Sequence, residues 1–259
     1  MYLLNNEPSA FEKALADFFK FDIAPEVFSS LLVMLIMLVL AVIIGIEASL
    51  QDPLKKPKGL LLIAEIGVNF FDRLVSDLMG PHFKGFGGTI MGIATYLFLS
   101  FIVGLTGLPS PVVYLATPLS LGLITFGLIH FTNMKYAKWG YFKRYIDPIP
   151  IFLPINLISM WAPLLSLTMR LFGNAISGWT LMTLVYWAFE NLTRLIIPNI
   201  PEGLAIFAPI ITPVLHAYFD IFSGFIQTTV FIFLTMIFIA QEGPEDIAIS
   251  EEISKEGGR

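Results

Sequence analysis

The 259-residue sequence contains no cysteine and only three histidines. The lack of cysteine excludes disulfide bonds, thiolate nucleophiles and cysteine-ligated metal sites. Charged residues are also scarce, at 14% of the chain, whereas hydrophobic residues make up 56% and the mean hydropathy is +0.79. Because soluble domains carry about 25% charged residues, this composition predicts an integral membrane protein.

Several sequence motifs are also absent, and each absence disfavours a class of function. The sequence has no GxxxxGK[ST] phosphate loop, so we expect no nucleotide site, no catalytic centre and no cofactor. The net charge of −5 arises mainly in the two tails and argues against a nucleic-acid partner. The first 22 residues lack the basic and apolar regions of a targeting peptide. No internal repeat is recognisable, which disfavours a secondary transporter built from paired repeats.

The first apolar stretch covers residues 27–46, and its roughly 20 residues match the thickness of a bilayer core. Lys55, Lys56 and Lys58 follow it directly. Since cytoplasmic loops are rich in lysine and arginine, these lysines predict the cytoplasmic side after the first span. We therefore expect the N-terminus to lie outside.

Residues 60–79 carry polar side chains spaced by three or four positions, namely Glu65, Asn69, Asp72, Arg73 and Ser76. This spacing places them on one face of a helix. Three charges on one face are costly inside lipid, so the stretch is predicted to be an amphipathic helix at the cytoplasmic interface and not a span.

Residues 87–131 predict a hairpin of two spans, at 87–105 and 116–131, joined by an uncharged turn. The loop that follows is basic and belongs on the cytoplasmic side by the same rule; it contains Lys135, Lys138, Lys143 and Arg144. The two basic segments therefore agree on one topology.

Two long apolar tracts complete the chain, at residues 148–189 and 203–240. As helices of 42 and 38 residues they would be about 63 and 57 Å long, so they must tilt or kink within residues 148–240. The acidic tail 241–259 returns to the cytoplasm. The predicted fold is a single all-α integral membrane domain over residues 1–259, with five transmembrane crossings, one interfacial amphipathic helix, and two long, strongly tilted final helices.

Arg170 is the only charge in the first long tract and lies far from both of its ends. An arginine at this depth costs about 2.5 to 3.5 kcal/mol on insertion scales, so it is expected to face protein or water. Its face of the helix also carries hydroxyl and amide groups, from Ser159, Ser166, Asn174 and Ser177. This polar stripe predicts a partner within the membrane.

The last tract carries a second stripe at spacings of four, three and four, formed by His216, Asp220, Ser223 and Gln227. Acid, amide, hydroxyl and imidazole groups on one face are typical of a proton or cation path. Structural alternatives remain open: Arg170 and Asp220 could form a buried ion pair, His216 could serve packing, and the amides and serines could hydrogen-bond between helices.

The run SLTMRLFGNAISG from Ser166 to Gly178, followed by IQTTVFIFLT from Ile226 to Thr235, closely resembles subunit a of the membrane (Fo) sector of bacterial F-type ATP synthases. The resemblance implies that Arg170 faces the carboxylates of a rotating ring of c subunits and separates two offset half-channels. It also implies that Asn174 and Gln227 shape the aqueous path and that Asp220 accepts the proton. The implied partners are the c ring, the b subunits of the peripheral stalk, the lipid bilayer, and transported protons or sodium ions.

The sequence departs from the family pattern at Trp179, where relatives commonly carry Glu or His, and at Ala175, where a larger aliphatic residue is usual. Asp220, helped by His216, is therefore expected to be the ionisable group of the entry half-channel without a second one at position 179. The expected location is a bacterial plasma membrane, with the C-terminus in the cytoplasm. An ion-coupled secondary transporter and a non-conducting assembly or scaffold protein are the rival interpretations, and the sequence does not choose between protons and sodium ions.

Overall fold

The computed structural model describes residues 25–52, 56–137, 153–197, 201 and 205–243. Every regular element in these ranges is helical, which confirms the all-α class. In chain order the helices are α1 (Pro25–Leu50), α2 (Leu60–Met79), α3 (Gly87–Ile102), α4 (Ala116–Ala137), α5 (Leu153–Ile196), α6 (Ala208–His216) and α7 (Ser223–Ala240). A π-helical segment (Ala217–Phe222) joins α6 to α7, and α3 continues as a 3₁₀ turn (Val103–Thr106).

Three helical stretches within the described residues are long and apolar enough to cross a membrane: Val27–Leu50, Gly87–Thr106 and Ala208–Ala240. Only 11% of the first is buried inside the protein, so α1 presents apolar side chains outward almost all round. A 2.8 Å hydrogen bond joins the hydroxyl of Ser30 on α1 to that of Tyr96 on α3. Such a helix requires lipid or partner helices around it.

The predicted helix limits hold in part, and the predicted tract 203–240 is divided into α6, the π-helical segment and α7. Helix α2 has the predicted limits, and its five polar residues (Glu65, Asn69, Asp72, Arg73 and Ser76) are all exposed, while Val75 and Met79 are buried against the bundle. Helix α1 extends through Glu47 to Leu50, four residues beyond the predicted span, because Glu, Ala and Leu are strong helix formers. Helix α5 also extends past the predicted tract, as far as Ile196.

The core lies between α2, α3, α4, α5 and α7, and its fully buried side chains include Ile90, Leu97, Leu171, Phe231 and Met236. At one end of the bundle, Asn133 Nδ2 near the end of α4 donates a 2.5 Å hydrogen bond to Glu242 Oε2 just after α7. Phe83, ahead of α3, packs against Tyr136 at the same end. The ends of α4 and α7 therefore meet the start of α3.

Helix α5 has 44 residues and contains Pro163. At 1.5 Å per residue it is about 66 Å long, which is twice the thickness of a bilayer core, so tilting or curvature is required by length alone. Most of the basic loop and of the acidic tail, at residues 138–152 and 244–259, lies outside the described residues, as do residues 1–24. The topology predicted from these segments stays a prediction.

Candidate functional site

Arg170 lies on the outer face of α5. The same helix packs into the core through Leu164, Leu167 and Leu171, which are at most 4% exposed. The Arg170 side chain is exposed, and its Nη2 donates a 3.3 Å hydrogen bond to Ser166 Oγ one turn earlier. Ser177 is exposed on the same side and donates to the carbonyl of Gly173. Ser166 is the one hydrogen-bond partner of the guanidinium among the described residues, so most of its five donors remain open to other groups.

Asn174 and Gln227 join the two long helical segments. Asn174 Nδ2 on α5 donates a 2.6 Å hydrogen bond to Gln227 Oε1 on α7. Gln227 is 3% exposed, and its Nε2 is buried without a partner in the described chain. Because an amide oxygen left unpaired in the interior is costly, this bond fixes how α5 and α7 pack one turn beyond Arg170.

Asp220 lies in the π-helical segment and pairs with His216 on α6. His216 Nδ1 is 2.6 Å from Asp220 Oδ2, and the two side chains are 27% and 22% exposed. On the other edge of the imidazole ring, Nε2 is 3.1 Å from the hydroxyl of Tyr186 on α5. The carboxylate of Asp220 is thus held by His216 and not by Arg170, so the predicted structural alternative of an Arg170–Asp220 pair is absent from the structure.

The π-helical turn affects the direction of His216. Pro213 lies inside α6, and the wider turn begins four residues later, at Ala217. One extra residue in a turn rotates the preceding helix by roughly 100° relative to the following one. His216 is therefore turned away from the Gln227 face on which a continuous α-helix would place it.

A cavity of about 400 Å³ surrounds Asp220. Its walls are the end of α3, the connection 103–113, α5 from Asn174 to Tyr186, and the π-helical segment. Gly104 lies close to the carboxylate, since a β-carbon built at this glycine would be 3.4 Å from Asp220 Oδ1. Trp179 also lines the cavity. The cavity lies at the opposite end of the bundle from the Asn133–Glu242 contact.

The structure thus divides the predicted site into three groups. It places Arg170 with Ser166, Asn174 with Gln227, and His216 with Asp220. Ser223 is half-buried at the start of α7, and Ser177 bonds only within its own helix. Two residues were missed by the sequence reasoning, Tyr186 and Gly104. Tyr186 is 16 positions beyond Arg170 and points roughly 160° away from it on a helical projection, so the polar-stripe pattern could not include it.

Fold and site together define a class: a polytopic helical membrane protein with a polar cavity between its helices and a cation on its outer face. The family model for the ATP synthase A chain matches residues 27–240. The chain is similar to ATP synthase subunit a of Mycoplasma pneumoniae, at 32% identity over 83% of this chain and 81% of the relative. It is also 30% identical to subunit a of Mycoplasma genitalium, over 83% of this chain and 82% of that protein.

A third relative, from Propionigenium modestum, is named as sodium ion specific and is 30% identical over 66% of this chain and 58% of its own length. These matches show that the chain belongs to the ATP synthase A chain family. It is a non-catalytic subunit of the membrane sector of a rotary ATP synthase and takes part in ion transport with the other subunits of that sector.

Proposed function

We propose that this chain is the stationary subunit that supplies both ion half-channels, and that Arg170 faces the carboxylates of the c ring. Each arriving carboxylate gives up its ion because a nearby guanidinium stabilises the charged form. The same fixed cation repels a passing ion and prevents a direct leak between the half-channels. Ion flow is thereby coupled to rotation and to ATP synthesis in the catalytic sector.

The observation that carries the proposal is the exposure of Arg170. A charge in a membrane helix normally faces the interior of its bundle or water, yet Arg170 points away from the core of its own chain. Exposed apolar neighbours surround it, including Leu165, Met169 and Ile176. A partner that offers carboxylates at this face satisfies the guanidinium, and lipid does not.

The cavity around Asp220 supports the second part of the proposal. An acid, an amide and an imidazole line this one cavity: Asp220, Asn174 and His216. Trp179 occupies the position at which the family resemblance leads one to expect an acid or histidine. Asp220 with His216 therefore serves as the ionisable group of the entry half-channel. Asn174 lines the cavity one turn from Arg170 and is bonded to the buried Gln227.

The positions of the lysines support one orientation in the membrane. Lys56 and Lys58 follow α1, and Lys135 lies at the end of α4, close to the Asn133–Glu242 end of the bundle. If that end is cytoplasmic, five crossings place the N-terminus outside and the C-terminus inside, and the Asp220 cavity opens to the outside. We place the protein in a bacterial plasma membrane, with b subunits of the peripheral stalk as its stationary partners.

The test is ATP synthesis driven by an ion gradient in vesicles that carry the assembled complex with Arg170→Ala. We expect synthesis to fall at least about 100-fold, as on loss of a charge-stabilising group, and passive ion leak to rise. Arg194→Ala is the matched control, because Arg194 lies on the same helix and pairs with Glu190 at an exposed position. Normal synthesis by an assembled Arg170→Ala complex would refute the proposal.

A further inference from the structure

Two cavities meet at Tyr186 and His216. The inner cavity contains Asp220 and Asn174. A second cavity, of about 470 Å³, lies against the N-terminal half of α6 and is lined by Pro209, Thr212 and Pro213, among others. Four residues line both cavities: Gly104, Gly107, Tyr186 and His216. The boundary between the two spaces is therefore built from two glycines, a phenol and an imidazole.

We infer that Tyr186 and His216 form a gate between an outer and an inner chamber, and that this gate passes protons and excludes sodium ions. The inference rests on the proposed function, because it concerns the half-channel that reaches Asp220. It adds Tyr186 as a proton-relay residue and assigns the transported ion of this path.

The hydrogen bonds determine which nitrogen of a neutral His216 ring carries the proton. An ionised Asp220 requires a donor at His216 Nδ1, 2.6 Å away, so a neutral ring carries its proton on Nδ1. Nε2 then accepts the hydroxyl proton of Tyr186, at 3.1 Å. Tyr186 thus favours the tautomer in which the imidazole can hand a proton to Asp220.

A proton crosses the gate by shifting along these bonds. A protonated water in the outer chamber gives a proton to Tyr186 Oη while the phenolic proton moves to His216 Nε2 and the Nδ1 proton moves to Asp220 Oδ2. The water loses one proton and Asp220 gains one, so charge is conserved. After Asp220 passes its proton inward, a half-turn of the imidazole about Cβ–Cγ restores an N–H towards the carboxylate.

Sodium ions lack this route. A hard cation is bound by several oxygen ligands, whereas the gate offers an imidazole nitrogen and one phenol oxygen. Among the residues that the structure records as lining the two cavities, Tyr186, His216 and Asp220 are the titratable side chains. Further oxygens line the inner cavity, at Ser110, Asn174 and Thr183, but a sodium ion must first cross the gate, which offers one oxygen.

The test uses vesicles with the assembled complex and compares Tyr186→Phe with Tyr218→Phe. Tyr218 is the matched control because it lies in the π-helical segment, is 54% exposed, and stacks on Phe222 outside both cavities. Losing one hydrogen bond to the relay should slow proton-driven ATP synthesis about fivefold and raise its solvent deuterium isotope effect, with unchanged leak. Tyr218→Phe should match the wild type. His216→Gln, which keeps an amide beside Asp220 but cannot relay a proton, should lose more than Tyr186→Phe.

In the wild type, a proton gradient without added sodium should drive synthesis, and a sodium gradient at equal pH should not. Synthesis driven by sodium alone, or equal rates and isotope effects for the two tyrosine variants, would overturn the gate. The Arg170→Ala complex is measured in the same preparation. If Arg170→Ala abolishes synthesis while Tyr186→Phe behaves like Tyr218→Phe, the gate alone fails; if Arg170→Ala is active, the proposed function fails.

Discussion

Arg170 and Asp220 lie on neighbouring helical segments but differ in how exposed they are and in which groups bond to them. Arg170 is exposed on a continuous α-helix and donates one hydrogen bond to the hydroxyl of Ser166, one turn earlier. Asp220 is about one-fifth exposed in a π-helical segment and is held by an imidazole, which is held in turn by a phenol. The difference shows that one charge is left to be satisfied from outside the chain, whereas the other is satisfied and positioned within it.

Among substitutions at groups that are bonded within the chain, Asp220→Asn should lower the rate of ATP synthesis most. The variant keeps the size of the side chain but removes the group that accepts protons from His216, and such groups contribute about 100-fold or more. We expect proton-driven ATP synthesis to fall by about that factor, with no added leak because Arg170 is untouched. Synthesis within a few-fold of the wild type would mean that Asp220 is not on the proton path.

Asn174→Ala should break the link between the two regions. The substitution leaves Gln227 Oε1 unpaired in the interior, which costs about 1 to 3 kcal/mol. We expect a lower thermal unfolding temperature of the purified complex and a several-fold loss of synthesis. Asn191→Ala is the control, since Asn191 is exposed and bonds only to a carbonyl of its own helix; equal shifts for the two variants would show that the Asn174–Gln227 bond is dispensable.

Gly122→Ala tests the packing behind Arg170. A methyl group at Gly122 on α4 would overlap Thr168 Oγ1 and lie 2.9 Å from Leu164 Cδ1, both on the buried face of α5. Overpacking of this kind costs about 1 to 3 kcal/mol, so assembly yield and thermal stability should fall. A methyl group at Gly127 on the same helix meets no atom within 4 Å, so Gly127→Ala should leave assembly yield and thermal stability unchanged. A stable Gly122→Ala complex would indicate that α5 can shift outward without loss.

Glu190→Gln should have the smallest effect. It removes the exposed 2.7 Å ion pair with Arg194 near the end of α5. Exposed pairs contribute about 0 to 1 kcal/mol, so synthesis and unfolding temperature should change little. A large loss would show that charge anywhere on α5 is critical and would remove the contrast with Arg170.

The long helices and the polar stripes could be predicted because hydropathy and three-to-four spacing report directly on helical faces. The limits of α2 and the pairing of His216 with Asp220 across one turn follow from such spacing. The path itself could not be predicted. It depends on the extra residue in the turn at Ala217–Phe222, and this turn changes which side chains His216 meets.

Tyr186 and Gly104 illustrate the same limit. Tyr186 matters because α5 passes α6 at that point, and Gly104 because the end of α3 approaches Asp220. Both relations are tertiary, and neither leaves a periodic pattern in the sequence. The exposure of Arg170 was equally hidden, since a stripe on a helix does not reveal whether it faces its own bundle or a partner.

The most direct test of the central claim is a disulfide cross-link between the Arg170 face and the rotor. The chain has no cysteine, so a single cysteine can be placed without background. Ser177→Cys, on the exposed side of α5, should cross-link to a cysteine placed beside the ring carboxylate. Val42→Cys, also exposed but on α1, should not. Cross-linking from position 42 and none from position 177 would contradict the account.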